Sequence, residues 1–230
     1  MSQPTLGRNS LARKNLMALT GLFLCFFLVI HLAGNLQLLL PVERAHLQYN
    51  HYSELLSHNY LIKAISYILY ASILVHLIDS ILLTLRARAA RGAVGYAYDR
   101  RGVASVWYSR SMFVLGALIL VFLVIHLANF WYPYKFGAVP MDAAGRKDIY
   151  LMVVSVYQEW WYVVIYVVSL LVLGFHLLHG FKSAFQTLGL YHHRYGRWLL
   201  WAGYAYTFLI TLGFIIIPLW VFFTKPTLLI

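Results

Sequence analysis

The sequence predicts an all-α membrane protein, a bundle of five transmembrane helices. Three observations carry that prediction. The chain's 230 residues are 62% hydrophobic and only 11% charged, whereas a soluble globular chain is typically ~25% charged. Five apolar stretches, at 16–40, 64–85, 111–132, 160–181 and 198–224, each reach the roughly 20 helical residues that cross a hydrocarbon core of ~30 Å. Four of the five contain no Asp, Glu, Lys or Arg, and the second contains only Asp79. Connections between them are modest, so residues 1–230 read as a single domain.

The segment before the first span, "MSQPTLGRNSLARKNLMALTG", begins like a signal peptide, with basic residues ahead of an apolar run. That run continues for 25 residues without a small-residue cleavage site, which predicts a retained helix. After it, "HLQYNHYSELLSHN" (46–59) reads as a polar loop leading into the second span. A basic loop at 86–110 precedes the third span, which ends on "NFWYPYKFG". The apolar piece "IYLMVVSVY" (149–157) is too short to cross and reads as interfacial. A second basic loop, 182–197, separates the fourth and fifth spans.

Charge sets the orientation. The N-terminus and the loops 86–110 and 182–197 together hold twelve Lys and Arg, against six on the opposite side. Cytoplasmic loops carry the excess of Lys and Arg, so the N-terminus is predicted cytoplasmic and the C-terminus outside. Trp107, Trp131, Trp160, Trp161, Trp198 and Trp220 fall near span ends, where an aromatic belt belongs. The net charge of +11 does not indicate a nucleic-acid partner. Such binding needs basic residues gathered on a water-facing fold, and here they sit at helix ends. Cys25 is the single cysteine, so there is no disulfide, iron–sulfur or zinc-knuckle pattern.

Histidine placement carries the functional signal. His46, His51, His58, His192 and His193 are predicted in loops, whereas His31, His76, His126, His176 and His179 lie inside spans. An ionisable residue at membrane depth is costly unless partnered, and so marks function. The heptapeptide "FLVIHLA" occurs at 27–33 and again at 122–128. His31 lies 17 residues beyond Lys14 and His126 lies 16 beyond Arg110, which at 1.5 Å per residue puts both roughly 25 Å from the inner boundary. His76 lies 10 residues before Arg86 and His176 lies 6 before Lys182, which puts both roughly 9–15 Å from that boundary. Four histidines on four helices therefore sort into an outer pair, His31 and His126, and an inner pair, His76 and His176.

Two facing imidazoles at one level of a bundle suit a bis-histidine haem, since neutral imidazole suits iron and bundle cofactor sites are built from facing helices. Zinc fits poorly, because no Cys or carboxylate lies nearby to complete a tetrahedron. Gly21 and Gly116 each lie 10 residues before a repeat histidine, near the inner level, where they leave room for a macrocycle or serve close helix packing. His179, three residues after His176, competes as a ligand. Its position only three residues from Lys182 suits the pair His179 and Lys182 better to a haem propionate.

These residues resemble the cytochrome b membrane anchor of succinate dehydrogenase and fumarate reductase complexes, specifically the single-polypeptide, five-helix, two-haem type of bacteria. The resemblance covers nearly the whole chain and rests on "TGLFLCFFLVIHLAGNLQLL" (20–39), "YASILVHLIDSILLTL" (70–85), "LVFLVIHLANFWYPYKFG" (120–137) and "LGFHLLHGFKSAFQTLGL" (173–190). It implies two stacked b-type haems ligated by His31, His126, His76 and His176, one from each of the first four helices. It implies a place in the bacterial cytoplasmic membrane, with a flavoprotein subunit and an iron–sulfur subunit docked on the cytoplasmic face. Electrons would pass through the two haems between the iron–sulfur subunit and a quinone, usually menaquinone. Some relatives carry a glutamate on the fourth helix as a proton path; here 160–181 holds no acid, a departure from that pattern.

Quinone chemistry needs hydrogen-bond partners and a group that exchanges protons with water. On the outer side, 46–59 offers Glu54 and His51 for that work, or else is a solvated loop. Asp79, three residues past His76, is expected to be structural. A cytochrome b of another quinone-linked complex, such as a hydrogenase or formate dehydrogenase, is the alternative reading. A histidine-lined transporter would need more polar groups along a pore than Asp79 alone.

Overall fold

The computed structural model describes residues 6–92, 103 and 105–224, with side chains from Ser10 onward. The basic residues Arg100, Arg101 and Lys225 and the side chain of Arg8, which entered the orientation argument, lie outside the described residues.

The spans fold as helices longer than their apolar runs, because the flanking polar residues are also good helix formers. Helix α1 covers Leu6–Asn35 and tightens into a 3-10 turn at Leu36–Leu39; α2 is Val42–His58 and α3 is Tyr60–Arg91. A short α4 (Trp107–Arg110) leads into α5 (Met112–His126), which passes through a π-helical turn at Leu127–Trp131 into α6 (Tyr132–Phe136). Helix α7 is Ile149–Tyr157, α8 is Trp160–Thr187 and α9 is Gly196–Thr224. No strand occurs among the described residues, only an isolated bridge between Met141 and Lys147. Five of these helical segments are long and apolar enough to cross a membrane, as expected for a multi-pass protein.

Local chemistry sets several boundaries. Asn59 caps α3 by accepting from the Leu61 and Ile62 amides at 2.9 and 3.2 Å, which satisfies donors the helix itself cannot. Gly92 closes the same helix at φ 77°, a left-handed conformation that costs glycine nothing. The π-turn directly after His126 is a feature often found beside functional sites.

Residues 42–58 are helical rather than a loop, which corrects the expectation for 46–59 and places His46, His51 and His58 on a helix. The reason is visible in the pattern: Ala45, Tyr49, Tyr52 and Leu56 recur at helical spacing behind Pro41, and Ala45 and Tyr49 are buried. The polar residues between them simply occupy the opposite face. Helix α7, too short to cross a membrane, is packed on the bundle: Tyr150, Val153 and Val154 are buried and share a hydrophobic cluster with Leu38, Tyr49 and Val221.

α1 packs on α3, α8 and α9; α8 packs on α5 and α9; α3 meets α5. Helices α1, α3, α5 and α8 therefore form a ring, with α9 laid against its α1–α8 side. Small residues allow the close α8–α9 and α1–α9 approaches: a Cβ on Gly203 would come within 2.8 Å of Phe181, and one on Gly213 within 2.7 Å of Leu32. The packed cluster closes the end of the ring that carries α2 and α7, and the rest of the ring encloses a cavity.

Polar side chains bind the ends together. At the N-terminal end, Arg13 on α1 donates to Asp79 on α3 at 2.6 Å, and Asp79 is only 2% exposed. At the other end, Asp148 accepts from His46 (2.8 Å), from the Asn50 side-chain amide (3.0 Å) and from the Leu151 backbone amide (3.0 Å). The Asn50 carbonyl in turn accepts from the Tyr150 amide at 2.9 Å. Asp142 accepts from the Ala144 and Arg146 amides and from the Arg146 guanidinium, each at 2.9 Å. Although burial works against it, those bonds hold the Asp142 carboxyl below its ordinary range.

Candidate functional site

The cavity inside the ring has a volume of about 1220 Å³, larger than the ~300–1,000 Å³ of ordinary small-molecule pockets. Each helix contributes a stripe at helical spacing. On α1 it runs from Lys14 through Met17, Gly21 and Leu28 to His31 and Asn35. Each of the four ring helices brings histidine to that wall, α8 bringing both His176 and His179, and four of these five meet as two pairs.

His31 and His126 face each other with ring centroids 5.8 Å apart and planes at 88°. His76 and His176 do the same at 6.4 Å and 64°. The first pair sits toward the α2–α7 end among aromatic rings: Phe27 and Phe214 against His31, Phe122, Phe130 and Tyr166 against His126. Tyr49 on α2 donates to Asn35 at 3.0 Å, and the Asn35 amide donates to the His31 carbonyl at 2.7 Å, which ties α2 to the histidine's helix. The second pair sits toward the Arg13–Asp79 end, in smaller company. A Cβ on Gly21 would lie 3.3 Å from His76, and one on Gly116 would lie 3.9 Å from His176.

These pairs can be tested for fit to a metal held between two imidazoles. Two metal–nitrogen bonds of ~2 Å plus two ring radii of ~1.1 Å place the centroids roughly 6 Å apart. The observed separations are 5.8 and 6.4 Å. The Nδ1 atoms of His126 and His176 are buried without a hydrogen-bond partner among the described residues, a cost that calls for an explanation. No cluster of three or more His, Cys, Asp or Glu suited to a metal occurs among the described residues. Donor pairs in an apolar cavity therefore suit a planar cofactor that brings its own equatorial ligands, and do not suit a bare tetrahedral ion.

The remaining sequence-predicted residues separate into two groups. His179 lines the cavity at the end with Lys14, Ser183 and Thr187. Lys182 is not among the lining residues; its amine lies 5.9 Å above the Tyr191 ring. Three positions separate His176 from His179, nearly one turn, whereas six turn Lys182 to another face. Lys14 is the cation in the wall at that end, and its helical spacing to Gly21, Leu28 and His31 is the sequence signal that marks it. At the other end the wall includes Ser53 and Ser57 of α2 and Lys63 and Ser66 of α3, but neither Glu54 nor His51. Glu54 is half-buried and His51 is exposed. Trp131 of the π-turn donates to Tyr70 at 2.8 Å, and both belong to the wall.

No protein-family model, curated protein or solved structure matches this chain.

Proposed function

We propose that this chain is the membrane-anchor cytochrome b subunit of a bacterial succinate:quinone oxidoreductase. It would lie in the cytoplasmic membrane with its N-terminus inside. The observation that carries the reading is the meeting of four histidines from four helices as two facing pairs within one apolar cavity. His31 and His126 would hold the outer of two b-type haems, and His76 and His176 the inner. When bound, the haems would supply a one-electron relay between an iron–sulfur subunit on the cytoplasmic face and a quinone, for which menaquinone is the proposed substrate.

The chain's own residues do the rest. Phenylalanine and leucine side chains line the same wall as the histidines and would shield the ring nitrogens from water. Lys14 and His179, in the wall at the inner end, are placed to receive carboxylate groups of a bound macrocycle. Lys63 and Ser53 at the other end offer donors to a quinone carbonyl. Glu54, next to Ser53 on α2, and His51 are the proposed proton carriers between that mouth and water. The dicarboxylate chemistry would belong to the flavoprotein and iron–sulfur partners.

The test is purification of the tagged, full-length chain from its native membrane under mild detergent. The expected result is co-purification of a flavoprotein and an iron–sulfur protein that together oxidise succinate with a dye. Recovery of a hydrogenase or formate dehydrogenase subunit instead would assign the chain to the alternative cytochrome b class.

A further inference from the structure

Within each pair, what supports a ring is as informative as what it faces, because the group bonded to one ring nitrogen fixes the chemistry of the other. The four histidines differ sharply in this respect. The Nδ1 atoms of His126 and His176 have no partner. His31 Nδ1 has only a long 3.4 Å contact with the Asn35 side-chain NH2 group, whose shorter bond, 2.7 Å, goes to the His31 carbonyl. His76 alone meets a hydroxyl: its Nδ1 lies 3.1 Å from Thr20 Oγ1 across the α1–α3 interface.

The direction of that bond follows from counting protons. The Thr20 hydroxyl has one hydrogen, and Leu16 O at 2.8 Å and Met17 O at 3.1 Å, which can only accept, compete for it. A hydroxyl whose proton is taken by a backbone carbonyl has only lone pairs left to offer. With that proton taken, His76 is the donor, to Thr20 and to the Met17 carbonyl that also bonds it, which puts its proton on Nδ1 and leaves the free lone pair on Nε2. The neighbouring Gly21 removes the Cβ that would press on the same ring. Thr20 and Gly21 thus form a two-residue cradle on α1, one residue bonding the imidazole and the next clearing space for it. Thr20 is 8% exposed, so water does not compete strongly for the bond.

We propose that Thr20 is a positioning residue that locks His76 in its Nδ1–H tautomer and makes it the strongest-donating imidazole of the four, lowering the reduction potential of the inner haem. The redox part rests on the haem reading above; the tautomer part does not. A donated Nδ1–H bond pushes electron density toward Nε2, which favours the oxidised metal. Thr20→Val is nearly isosteric and removes the acceptor. Losing such an outer partner costs about 10–100-fold in metal affinity. A tenfold loss confined to the oxidised form corresponds to a rise of ~59 mV for a one-electron couple.

The experiment uses the purified full-length chain as parent, T20V and T20S. Potentiometric titration should show the inner haem of T20V raised by about that amount, the outer haem unmoved, and T20S returned to the parent value. Selective loss of the inner haem in T20V, with T20S retaining it, supports the same conclusion. An unchanged inner potential, an equal shift in both haems, loss of both haems, or a T20S that behaves like T20V overturns it. Nitrogen-15 spectra of histidine-labelled, haem-free chain provide the independent readout. His76 should show the Nδ1–H tautomer in the parent and lose that preference in T20V. A parent without haem would overturn the haem reading and with it the effect on potential, while the nitrogen spectra would still decide the Thr20–His76 bond.

Discussion

Asp148→Ala should loosen one end of the bundle by an amount the structure allows to be worked out. The carboxylate caps α7 through the Leu151 amide and accepts from the buried Asn50 amide and from His46. Losing an N-cap costs ~1 kcal/mol. Leaving a buried donor short of its acceptor costs about 1–3 kcal/mol. Asn50 keeps a longer bond to Asp142 at 3.3 Å, and His46 is partly exposed to water, so the lower part of that range applies. The sum is roughly 2–3 kcal/mol. Asp148→Asn keeps a capping oxygen and an acceptor for Asn50, and should lose under about 1 kcal/mol. The assay is denaturant unfolding of the purified chain in detergent, read as the shift of the midpoint at constant slope. The damage should also be local. α7 presents Met152, Val153 and Tyr157 to the cavity, and Tyr157 packs on Tyr166 and Phe130, which both flank His126. On the proposed haem assignment, retention of the outer haem should therefore fall while the inner is kept. An Asp148→Ala variant within 0.5 kcal/mol of the parent, or an Asp148→Asn variant equally damaged, would refute this account of the packed end.

Three further variants probe the rest of the cavity. Arg13→Gln strands the buried Asp79 carboxylate and should cost about 2–4 kcal/mol, less than a fully buried pair because Arg13 is 35% exposed; adding Asp79→Asn should recover most of it in a double-mutant cycle. Gly21→Ala brings a Cβ to 3.3 Å from His76, so the ring must give by a few tenths of an ångström. On the proposed haem assignment this sits at the low end of the overpacking range, ~1 kcal/mol, and should weaken inner-haem retention about 5-fold; Gly116→Ala, meeting His176 at an ordinary 3.9 Å, should have the smaller effect on bound-haem content. Glu54→Gln should leave both haems and the assembled complex intact while quinone-linked turnover falls at least tenfold, ~1.4 kcal/mol in barrier terms. Its dye-linked activity should be unchanged, and an unaltered ratio of the two activities would remove Glu54 from the reaction.

The cavity's histidine pairs were legible in the sequence because a helix converts residue count into depth at a fixed 1.5 Å per residue. Counting from Lys14, Arg110, Arg86 and Lys182 was enough to sort His31 with His126 and His76 with His176. Rotation about the helix was equally available: the α1 stripe from Lys14 to Asn35 keeps a 3.6-residue period, and reading it would have favoured Lys14 over Lys182 at the cavity wall. Contacts made across long sequence separations were not available. Nothing local says that Asp148 meets His46 and Asn50, or that Arg13 finds Asp79, since each depends on how two helices dock. Helix α2 was hidden by its own polarity: with His51, Glu54 and His58 on one side, its average character is that of a loop, and only the spacing of Ala45, Tyr49, Tyr52 and Leu56 reveals the buried face.

We propose that His31 with His126, and His76 with His176, each hold one b-type haem. The most direct test is a reduced-minus-oxidised absorbance spectrum of the purified full-length chain, with haem quantified per polypeptide, beside the variants His31→Ala, His76→Ala and His179→Ala. The expected result is two haems in the parent, loss of the outer one alone in His31→Ala, loss of the inner one alone in His76→Ala, and both retained in His179→Ala. A parent without the haem b signal, or His31→Ala and His76→Ala variants that keep the full complement, would contradict it.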